Sequence, residues 1–512
     1  SFKASERKKL KRTLKELLSQ GKILRNRKNL YLTIKEAKLV TGFFEAHRNG
    51  FGFVIPDSPK ETDIFIPPHA TMGAVHGDRV VARLEQKRRR EGRIIRILER
   101  AVKKIVGVVE KTGPIFTVQP RKKNFNQQIV LAPSEIKIKS GDLVLAEISS
   151  YTSGNKPLVA KVLKIFEKPK TPKEEIEILI HEYELPKKFS QNCLMLSKEL
   201  AQKGISKRQI KNRVDLRELP TVTIDGENAK DFDDAVSIKK TKNGFILWVH
   251  IADVSHYVKW KNPIDEEAKL RATSVYLPDR VIPMLPPDLS ENFCSLLPKT
   301  PRLTFTVEIH FSNSGERKEA LFYPSIIKTA ERMTYTSVKK ILIDKDKEEI
   351  KKYKSLVPHF EKMAELCELL KNKRKKRGSL DFDLPEPEVL LDIKGDPHAI
   401  ITAERNLAHF IIEEFMIAAN EAVAEFLYSN NIPSLYRVHE EPEANKIQYI
   451  TRIVKNLGIL KQELTPSDFH EFLEIIKGTP YEEIVNYLIL RSLKQARYSY
   501  ENVGHFGLAS EC

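Results

Sequence analysis

Residues 223–236 read TIDGENAKDFDDAV and place four aspartates within ten positions: Asp225, Asp231, Asp233 and Asp234. The stretch follows directly on Thr221–Ile224, an apolar segment with the character of a strand. Carboxylates at this density repel one another, and cations between them relieve that repulsion. Hard divalent cations with oxygen ligands are the natural partners. Two such ions can hold the attacking water and the leaving oxygen of a phosphodiester hydrolysis, so the stretch predicts a metal-dependent active site.

Two other interpretations of this acidic stretch are weaker. In an EF-hand loop starting at Asp231, Val236 and Lys242 occupy positions that require glycine and glutamate, so a loop calcium site is excluded. A solvated acidic turn is the remaining alternative. The flanking apolar strands and the basic character of the whole chain argue against it.

The composition predicts a multidomain globular protein that binds a polyanion. Hydrophobic residues make up 41% and charged residues 30% of the 512 residues, which are too many for one hydrophobic core. The 87 Lys and Arg against 69 Asp and Glu give a formal net charge of +18, which attracts nucleic acid. A basic surface kept for solubility or heat tolerance is the alternative.

The sequence shows neither a membrane segment nor a cysteine framework. It contains no run of eighteen apolar residues and opens with no signal peptide. Its four cysteines form no C-x-x-C pair. We therefore expect a cytoplasmic protein with reduced thiols and no membrane partner. Because the sequence starts at Ser1 within a basic helical pattern, we also expect the native chain to begin earlier.

Periodicity and turn residues divide the chain into five regions. We predict a partial winged-helix-like segment over 1–37, barrels over 38–100 and 101–168, a helical connector over 169–218 and an α+β catalytic domain over 219–512. The barrels are tandem copies of one unit of short strands with Gly and Asp turns. The predicted fold class is therefore multidomain, with two all-β OB-type barrels followed by an α+β domain.

The first barrel carries an aromatic pattern suited to nucleic acid. In the stretch Gly50-Phe51-Gly52-Phe53 the two phenylalanines point to one face of a strand, and the glycines let a nucleic-acid backbone approach. Phe65 on the next strand completes a predicted platform on which bases stack. Burial of these rings in the barrel core is the alternative. Phosphate contacts are predicted for Arg48, Lys60, Arg79 and the run Lys87–Arg90.

The barrel motif resembles the cold-shock domain, and the acidic stretch resembles the signature of the RNB catalytic domain of the ribonuclease R and ribonuclease II family. Further RNB-like motifs follow in order: TSVYLPDRVIPMLP (273–286), LSENFCSL (289–296), RGSLDF (377–382), IEEFMIAAN (412–420) and YRVHE (436–440). The resemblance runs from residue 38 to the end of the chain. The tandem barrels and the YRVHE motif favour the ribonuclease R branch.

The resemblance implies a role for each motif. The four aspartates hold Mg²⁺, or Mn²⁺ in its place, with Asp234 closest to the cleaved bond. Tyr276 stacks on the 3′-terminal base and Phe382 clamps the same nucleotide from the other side, with core packing as the alternative for both rings. Further substrate contacts are implied for Glu414, with Glu413 as its alternative, and for Arg280.

The implied function is hydrolytic, processive 3′→5′ degradation of RNA to nucleoside 5′-monophosphates. The expected partners are single-stranded RNA first and structured RNA or the ribosome second, and a monomer is expected. A non-catalytic RNA-binding protein is the main rival, but a pure binder gains nothing from carboxylates that face RNA. A metal-dependent endonuclease leaves the Tyr276 and Phe382 pair unexplained. Relatives continue past Cys512 into a segment with a catalytic arginine and an S1-type barrel, so slow catalysis is expected of these 512 residues.

Overall fold

The computed structural model describes residues 4–25, 29–33, 39–47, 49–58, 61–86, 90–122, 128–151, 157–382, 387–392, 397–402 and 404–512. Arg48, Lys60 and Lys87–Arg89, for which phosphate contacts are predicted, lie outside the described residues. The chain divides into two compact units. The first runs up to Pro186, and the second comprises Lys187–Leu391 and Pro397–Cys512.

The first unit opens with a helix and a short hairpin. Helix α1 (Ala4–Ser19) precedes the antiparallel strands β1 (Ile23–Arg25) and β2 (Tyr31–Thr33). Apolar residues at helical spacing, Leu14, Leu17 and Leu18, give α1 its half-buried stripe. These elements occupy the segment for which a winged-helix-like piece is predicted.

Two closed five-stranded barrels follow in the first unit. The first contains β3 (Leu39–Ala46), β4 (Gly52–Pro56), β5 (Ile64–Ile66), β6 (Arg79–Gln86) and β7 (Glu91–Glu99). The second contains β8 (Lys104–Thr112), β9 (Ile115–Pro120), β10 (Ile129–Leu131), β11 (Leu143–Ser150) and β12 (Leu158–Phe166). Both have the same strand order, and each includes one parallel pair, β5 with β7 and β10 with β12. The predicted tandem repeat is therefore confirmed.

Alternating apolar residues fill the barrels. Phe44, Val54, Ile64 and Ile66 point into the first, whereas Val109, Val118, Ile129 and Val144 point into the second. Helix α2 (Pro172–Glu182) follows, with its first turn capped by the Thr171 side chain. It packs on the second barrel through a small cluster of Val106, Leu145, Phe166 and Ile178.

A seven-stranded sheet forms the centre of the second unit, in the order β13-β20-β19-β16-β15-β14-β21. Its strands are β13 (Val214–Asp215), β14 (Val222–Asp225), β15 (Asp234–Thr241), β16 (Gly244–Ala252), β19 (Pro301–Ser312), β20 (Arg317–Lys328) and β21 (Glu331–Thr334). Three two-stranded antiparallel sheets lie outside it in the described residues of this unit: β17 (Val275–Tyr276) with β18 (Val281–Ile282), β22 (Pro387–Leu391) with β23 (Pro397–Thr402), and β24 (Tyr436–Val438) with β25 (Arg497–Ser499).

The described part of the second unit contains eleven α-helices. They are α3 (Gln191–Lys203), α4 (Lys207–Lys211), α5 (Val254–Tyr257), α6 (Pro263–Arg271), α7 (Tyr335–Leu342), α8 (Lys347–Lys352), α9 (Val357–Lys376), α10 (Leu407–Ser429), α11 (Ala444–Asn456), α12 (Phe469–Ile476) and α13 (Glu482–Ser492). Buried residues of α7, α9 and α10 share one core with the sheet, and those of α11, α12 and α13 form another. Among the described residues, no helix combines the length and the apolar character needed to cross a bilayer.

Candidate active site

The acidic stretch lies where two neighbouring strands of the sheet end and begin. Asp225 is the last residue of β14 and Asp234 is the first residue of β15. These antiparallel strands have a single registered pair, Val222 with Val236. The loop between them carries the other two aspartates, so the fold gathers all four at one edge of the sheet.

A distant segment pins the middle of this loop. The Phe232 amide donates to Ser295 Oγ at 3.0 Å, and the Ser295 hydroxyl donates to the Lys230 carbonyl at 2.9 Å. The Leu296 amide donates to the Phe232 carbonyl at 2.9 Å. Because Phe232 is also buried, the backbone on both sides of it is fixed, and with it the positions of Asp231 and Asp233.

An arginine supports the other side of the loop. Arg332 on β21 donates through Nη2 to the carbonyl oxygens of Gly226 at 2.7 Å and Glu227 at 2.8 Å. Its guanidinium also lies over the Phe232 ring, 5.5 Å from the centroid. Arg332, which lies outside the loop, therefore holds the backbone directly after Asp225.

Burial and mutual repulsion raise the pKa of three of the aspartates. Desolvation, followed by the charge of Asp234, raises the pKa of Asp225 to about 7, although Arg332 opposes the shift. Desolvation by the surrounding protein and the charges of Asp231 and Asp234 raise the pKa of Asp233 to about 6, even though its side chain is solvent-exposed. Burial raises the pKa of Asp234. The site thus disfavours a full set of negative charges without a cation.

The four aspartates have the oxygen atoms that a hard cation requires, but their carboxylates are not yet arranged around a common point. Asp225 Oδ2 is buried without a hydrogen-bond partner, which is costly for a carboxylate oxygen unless an ion or water meets it. Within the described ranges, no three carboxylate, imidazole or thiolate groups already have the spacing of metal ligands. Binding of a divalent ion therefore requires the aspartates to turn toward one another. All would supply oxygen atoms, as Mg²⁺ requires.

The β17–β18 hairpin brings an aromatic ring to the acidic cluster. Tyr276 is 67% exposed, and its hydroxyl donates to Asp231 Oδ2 at 3.0 Å. Arg280 lies in the turn of the same hairpin, where its backbone carbonyl accepts from the Leu277 amide at 2.8 Å and its guanidinium donates to Asp279. Core packing, the alternative interpretation of Tyr276, does not describe a ring this exposed.

Phe382 packs beside the helices that follow the sheet. It is half-buried against the core of α11, α12 and α13, and it lines a cavity of about 300 Å³ together with Phe410 and His470. In the described part of the chain no ring contact joins it to Tyr276. The clamp on one nucleotide therefore stays a prediction.

The glutamates of α10 have separate environments. Glu414 is 2% exposed and forms a buried ion pair with Arg374, whose Nη2 lies 2.6 Å from Glu414 Oε1. Burial nevertheless raises the pKa of Glu414. Glu413 is more accessible and pairs with Arg405 at 2.5 Å. Glu413 is therefore the more accessible of the two, and the substrate contact of Glu414, with Glu413 as its alternative, stays a prediction.

The predicted stacking platform lies on the outer surface of the first barrel. The ring centroids of Phe51, Phe53 and Phe65 are 5.5–6.1 Å apart, and the barrel core is built from other residues. His47 extends this platform, because its ring stacks on Phe51 with centroids 4.2 Å apart and planes 12° from parallel. Arg79 donates through Nη2 to Asp57 at 2.8 Å, and its phosphate contact stays a prediction.

Three family models match the chain in the order that the fold shows. The Ribonuclease B OB domain matches residues 42–97, the cold shock domain residues 118–190 and the RNB domain residues 213–512. The RNB match alone covers more than half of the chain.

Similar proteins match almost the whole chain. Ribonuclease R of Aquifex aeolicus is 40% identical, and that of Thermotoga maritima is 39% identical; each alignment covers 99% of this chain and 72% of the relative. The structure of Mycoplasma genitalium RNase R superposes with a TM-score of 0.77 at 28% identity, covering 92% of this chain and 75% of that chain. The chain belongs to the ribonuclease R family. Its RNB domain is therefore of the exoribonuclease type, as predicted.

Three residues that hold or surround the acidic stretch could not be identified individually from the sequence. Ser295 lies within the predicted LSENFCSL motif, but its role in pinning the acidic loop depends on a contact across 63 residues. Arg332 is a lone arginine with no motif around it. Tyr335 begins α7 and stacks on His409, with centroids 3.8 Å apart. Burial and the charges of Asp225 and Asp234 raise the pKa of Tyr335 to about 12.

Proposed function

We propose that this chain is the RNA-binding and catalytic part of a Mg²⁺-dependent, processive enzyme that removes nucleoside 5′-monophosphates from the 3′ end of RNA. Mn²⁺ is the proposed substitute ion. The observation that carries the proposal is the set of four aspartates at the β14–β15 edge of an RNB domain, with the exposed Tyr276 ring bonded to Asp231. The aspartates suit hydrolysis of a phosphodiester bond, and the Tyr276 ring suits stacking on the base beside that bond.

In the proposed reaction a water oxygen bonds to the phosphorus of the last nucleotide as the bond to the preceding 3′ oxygen breaks. That 3′ oxygen takes a proton, and the nucleotide leaves with its phosphate on the 5′ oxygen. Bound divalent ions would supply the positive charge that activates the water and stabilises the leaving oxygen. The aspartates would hold those ions, Tyr276 would orient the terminal base, and Glu413, the more accessible of the two predicted glutamates, would contact the leaving nucleotide.

The proposed path of the RNA begins on the first barrel. Stacking on Phe51, Phe53, Phe65 and His47 is sequence-tolerant, and the net charge of +18 attracts the phosphates. The second barrel is proposed to add phosphate contacts. The Mycoplasma genitalium RNase R structures contain ribose-methylated single-stranded RNA or double-stranded RNA, which supports RNA as the ligand. Structured RNA and the ribosome remain further proposed partners.

We also propose a cytoplasmic monomer. All four cysteines are unpaired: Cys193, Cys294 and Cys367 are buried, and Cys512 is partly exposed. Free thiols fit a reducing compartment.

Cleavage of a 5′-labelled single-stranded RNA, followed over time with Mg²⁺ and then with EDTA, tests the proposal. Labelled products that shorten stepwise from the 3′ end only with the metal support it. Internal fragments at early times indicate an endonuclease. Intact RNA in a complex that forms normally indicates a non-catalytic RNA-binding protein.

A further inference from the structure

A row of polar side chains crosses the central sheet of the second unit without reaching solvent. Its members are fully buried, with relative exposures of 0%: Thr221, Ser237, His250, Thr306, Ser325 and Thr304. They belong to five neighbouring segments, from the residue before β14 to β20. We call this set the polar row. Buried polar groups are unfavourable unless hydrogen-bonded, so its bonds need to be counted.

Every neighbouring pair in the polar row is hydrogen-bonded. The Thr221 and Ser237 hydroxyl oxygens are 2.8 Å apart, and Ser237 Oγ lies 3.2 Å from His250 Nε2. On the other side of the ring, His250 Nδ1 lies 2.8 Å from the Thr306 hydroxyl. The Ser325 hydroxyl then lies 2.5 Å from that of Thr306 and 2.6 Å from that of Thr304. At one end, the Thr221 hydroxyl donates to the Leu219 carbonyl at 3.0 Å. The row is continuous.

The Leu219 carbonyl determines which group donates in each hydrogen bond of the polar row. Each hydroxyl has one proton, and that of Thr221 is committed to the Leu219 oxygen. The Ser237 proton must then point to Thr221, so His250 donates to Ser237 through Nε2–H and accepts from Thr306 at Nδ1. The reverse direction loses the bond to Leu219. Burial lowers the pKa of His250 to about 3, so the ring is neutral and has one tautomer.

The Ser237–Thr221 bond lies between the two sheet strands that share the fewest backbone pairs. Strands β14 and β15 share one registered backbone pair, Val222 with Val236, and Thr221 and Ser237 are the next residues on the side away from the aspartates. On the other side the strands separate into the acidic edge. Thr221 and Asp225 point to the same face of their strand because side chains alternate.

We propose that the polar row is a positioning device: through the Thr221–Ser237 bond it fixes the strand that ends in Asp225 against β15. His250 acts through Ser237, because its Nε2–H leaves the Ser237 proton free to point at Thr221. A row of apolar side chains would stabilise the same sheet without specifying this junction. The inference rests on the proposed metal role of the aspartates.

The row itself supplies a matched pair of variants. Thr221→Val removes the hydroxyl at the β14 end of the polar row and leaves the Ser237 proton without an acceptor. Ser325→Ala removes a hydroxyl near the β20 end of the polar row. The hydrogen bonds from Thr306 to the Leu219 carbonyl keep the same donors and acceptors. Both variants leave the proton of one buried hydroxyl without an acceptor and should lower Tm. Thr221→Ser retains the hydroxyl and should rescue the first variant.

Mn²⁺ binding, measured by the loss of the free-ion electron paramagnetic resonance signal, is the readout. We expect Thr221→Val to bind Mn²⁺ about tenfold more weakly, in the range found for residues that orient metal ligands. Ser325→Ala and Thr221→Ser should bind like the wild type. Equal Mn²⁺ affinity in Thr221→Val and wild type, or an equal loss in Ser325→Ala, overturns the inference. Failure of the wild type to bind Mn²⁺ at all would instead overturn the proposed function.

Discussion

The hydroxyl of Tyr276 donates a hydrogen bond to Asp231 Oδ2 at 3.0 Å, which ties an exposed aromatic ring to one of the four aspartates of the acidic cluster. The ring is free to meet a base while its hydroxyl is fixed. Stacking on the terminal base and hydrolysis of the adjacent bond are therefore coupled through one side chain in the proposed mechanism.

Removal of the Tyr276 ring should change the product more than the rate. In Tyr276→Ala the terminal nucleotide loses a stacking contact of about 1–3 kcal/mol, so short remnants should dissociate earlier and the limit product should lengthen. Tyr276→Phe keeps the ring and should leave the limit product unchanged. Gel analysis of exhaustive digests provides the measurement. Identical limit products from the wild type and Tyr276→Ala would remove Tyr276 from the site.

The two neighbouring glutamates of α10 should differ in their effects. Glu414→Ala removes the short ion pair of the buried Arg374 guanidinium and leaves it only Glu413 at 3.9 Å, which should cost about 3 kcal/mol of unfolding free energy. Glu413→Ala breaks an accessible pair and should cost less than about 1 kcal/mol, yet reduce the cleavage rate. Chemical denaturation and single-turnover cleavage separate the two effects. A stable Glu414→Ala variant with slow cleavage would reverse this assignment.

The aromatic platform of the first barrel should contribute to RNA affinity. Phe51→Ala should weaken binding of single-stranded RNA by about 1–3 kcal/mol without changing its salt dependence, because it removes stacking and no charge. Phe43→Ala is the control, since this exposed ring of the same barrel lies beside the Arg79 guanidinium instead. Fluorescence anisotropy at several salt concentrations measures both quantities. Unfolding of the barrel with no separate binding defect would show that Phe51 is structural.

Stability without metal should fall as the pH rises from about 4 to 7. Asp225 has an ordinary pKa near 3.9 when unfolded and about 7 when folded, so the folded chain binds more protons in this window. Above pH 7 both states are ionised and the full repulsion is present. Mg²⁺ should therefore raise Tm more at pH 8 than at pH 5. Thermal melts with EDTA or Mg²⁺ test this, and Asp225→Asn should flatten the metal-free pH dependence.

Local patterns were sufficient to predict the barrels and the acidic site. Strand alternation and Gly turns repeat along residues 38–168, and the four aspartates are close in sequence, so no long-range contact was needed to place them together. Phe51 and Phe53 were predictable for the same reason, because alternation alone puts both on one face.

Contacts between distant residues account for what the sequence did not reveal. Arg332 supports the acidic loop from 106 residues away, and no pattern around it indicates this. Glu414 and Glu413 are adjacent in one motif, yet only the packing of α9 against α10 decides which of them is buried. His47 is a single histidine before a turn, and its stacking on Phe51 depends on how that turn closes.

Replacement of Asp234 by asparagine tests the central claim most directly, because it removes one ligand charge and preserves the shape of the side chain. Asp234→Asn and wild type should be compared for RNA affinity and for single-turnover cleavage of 5′-labelled RNA at saturating Mg²⁺. The proposed metal role predicts RNA binding that is equal or tighter, since one repulsion toward phosphate is lost, together with the loss of cleavage. Cleavage by Asp234→Asn at more than about a tenth of the wild-type rate would contradict it.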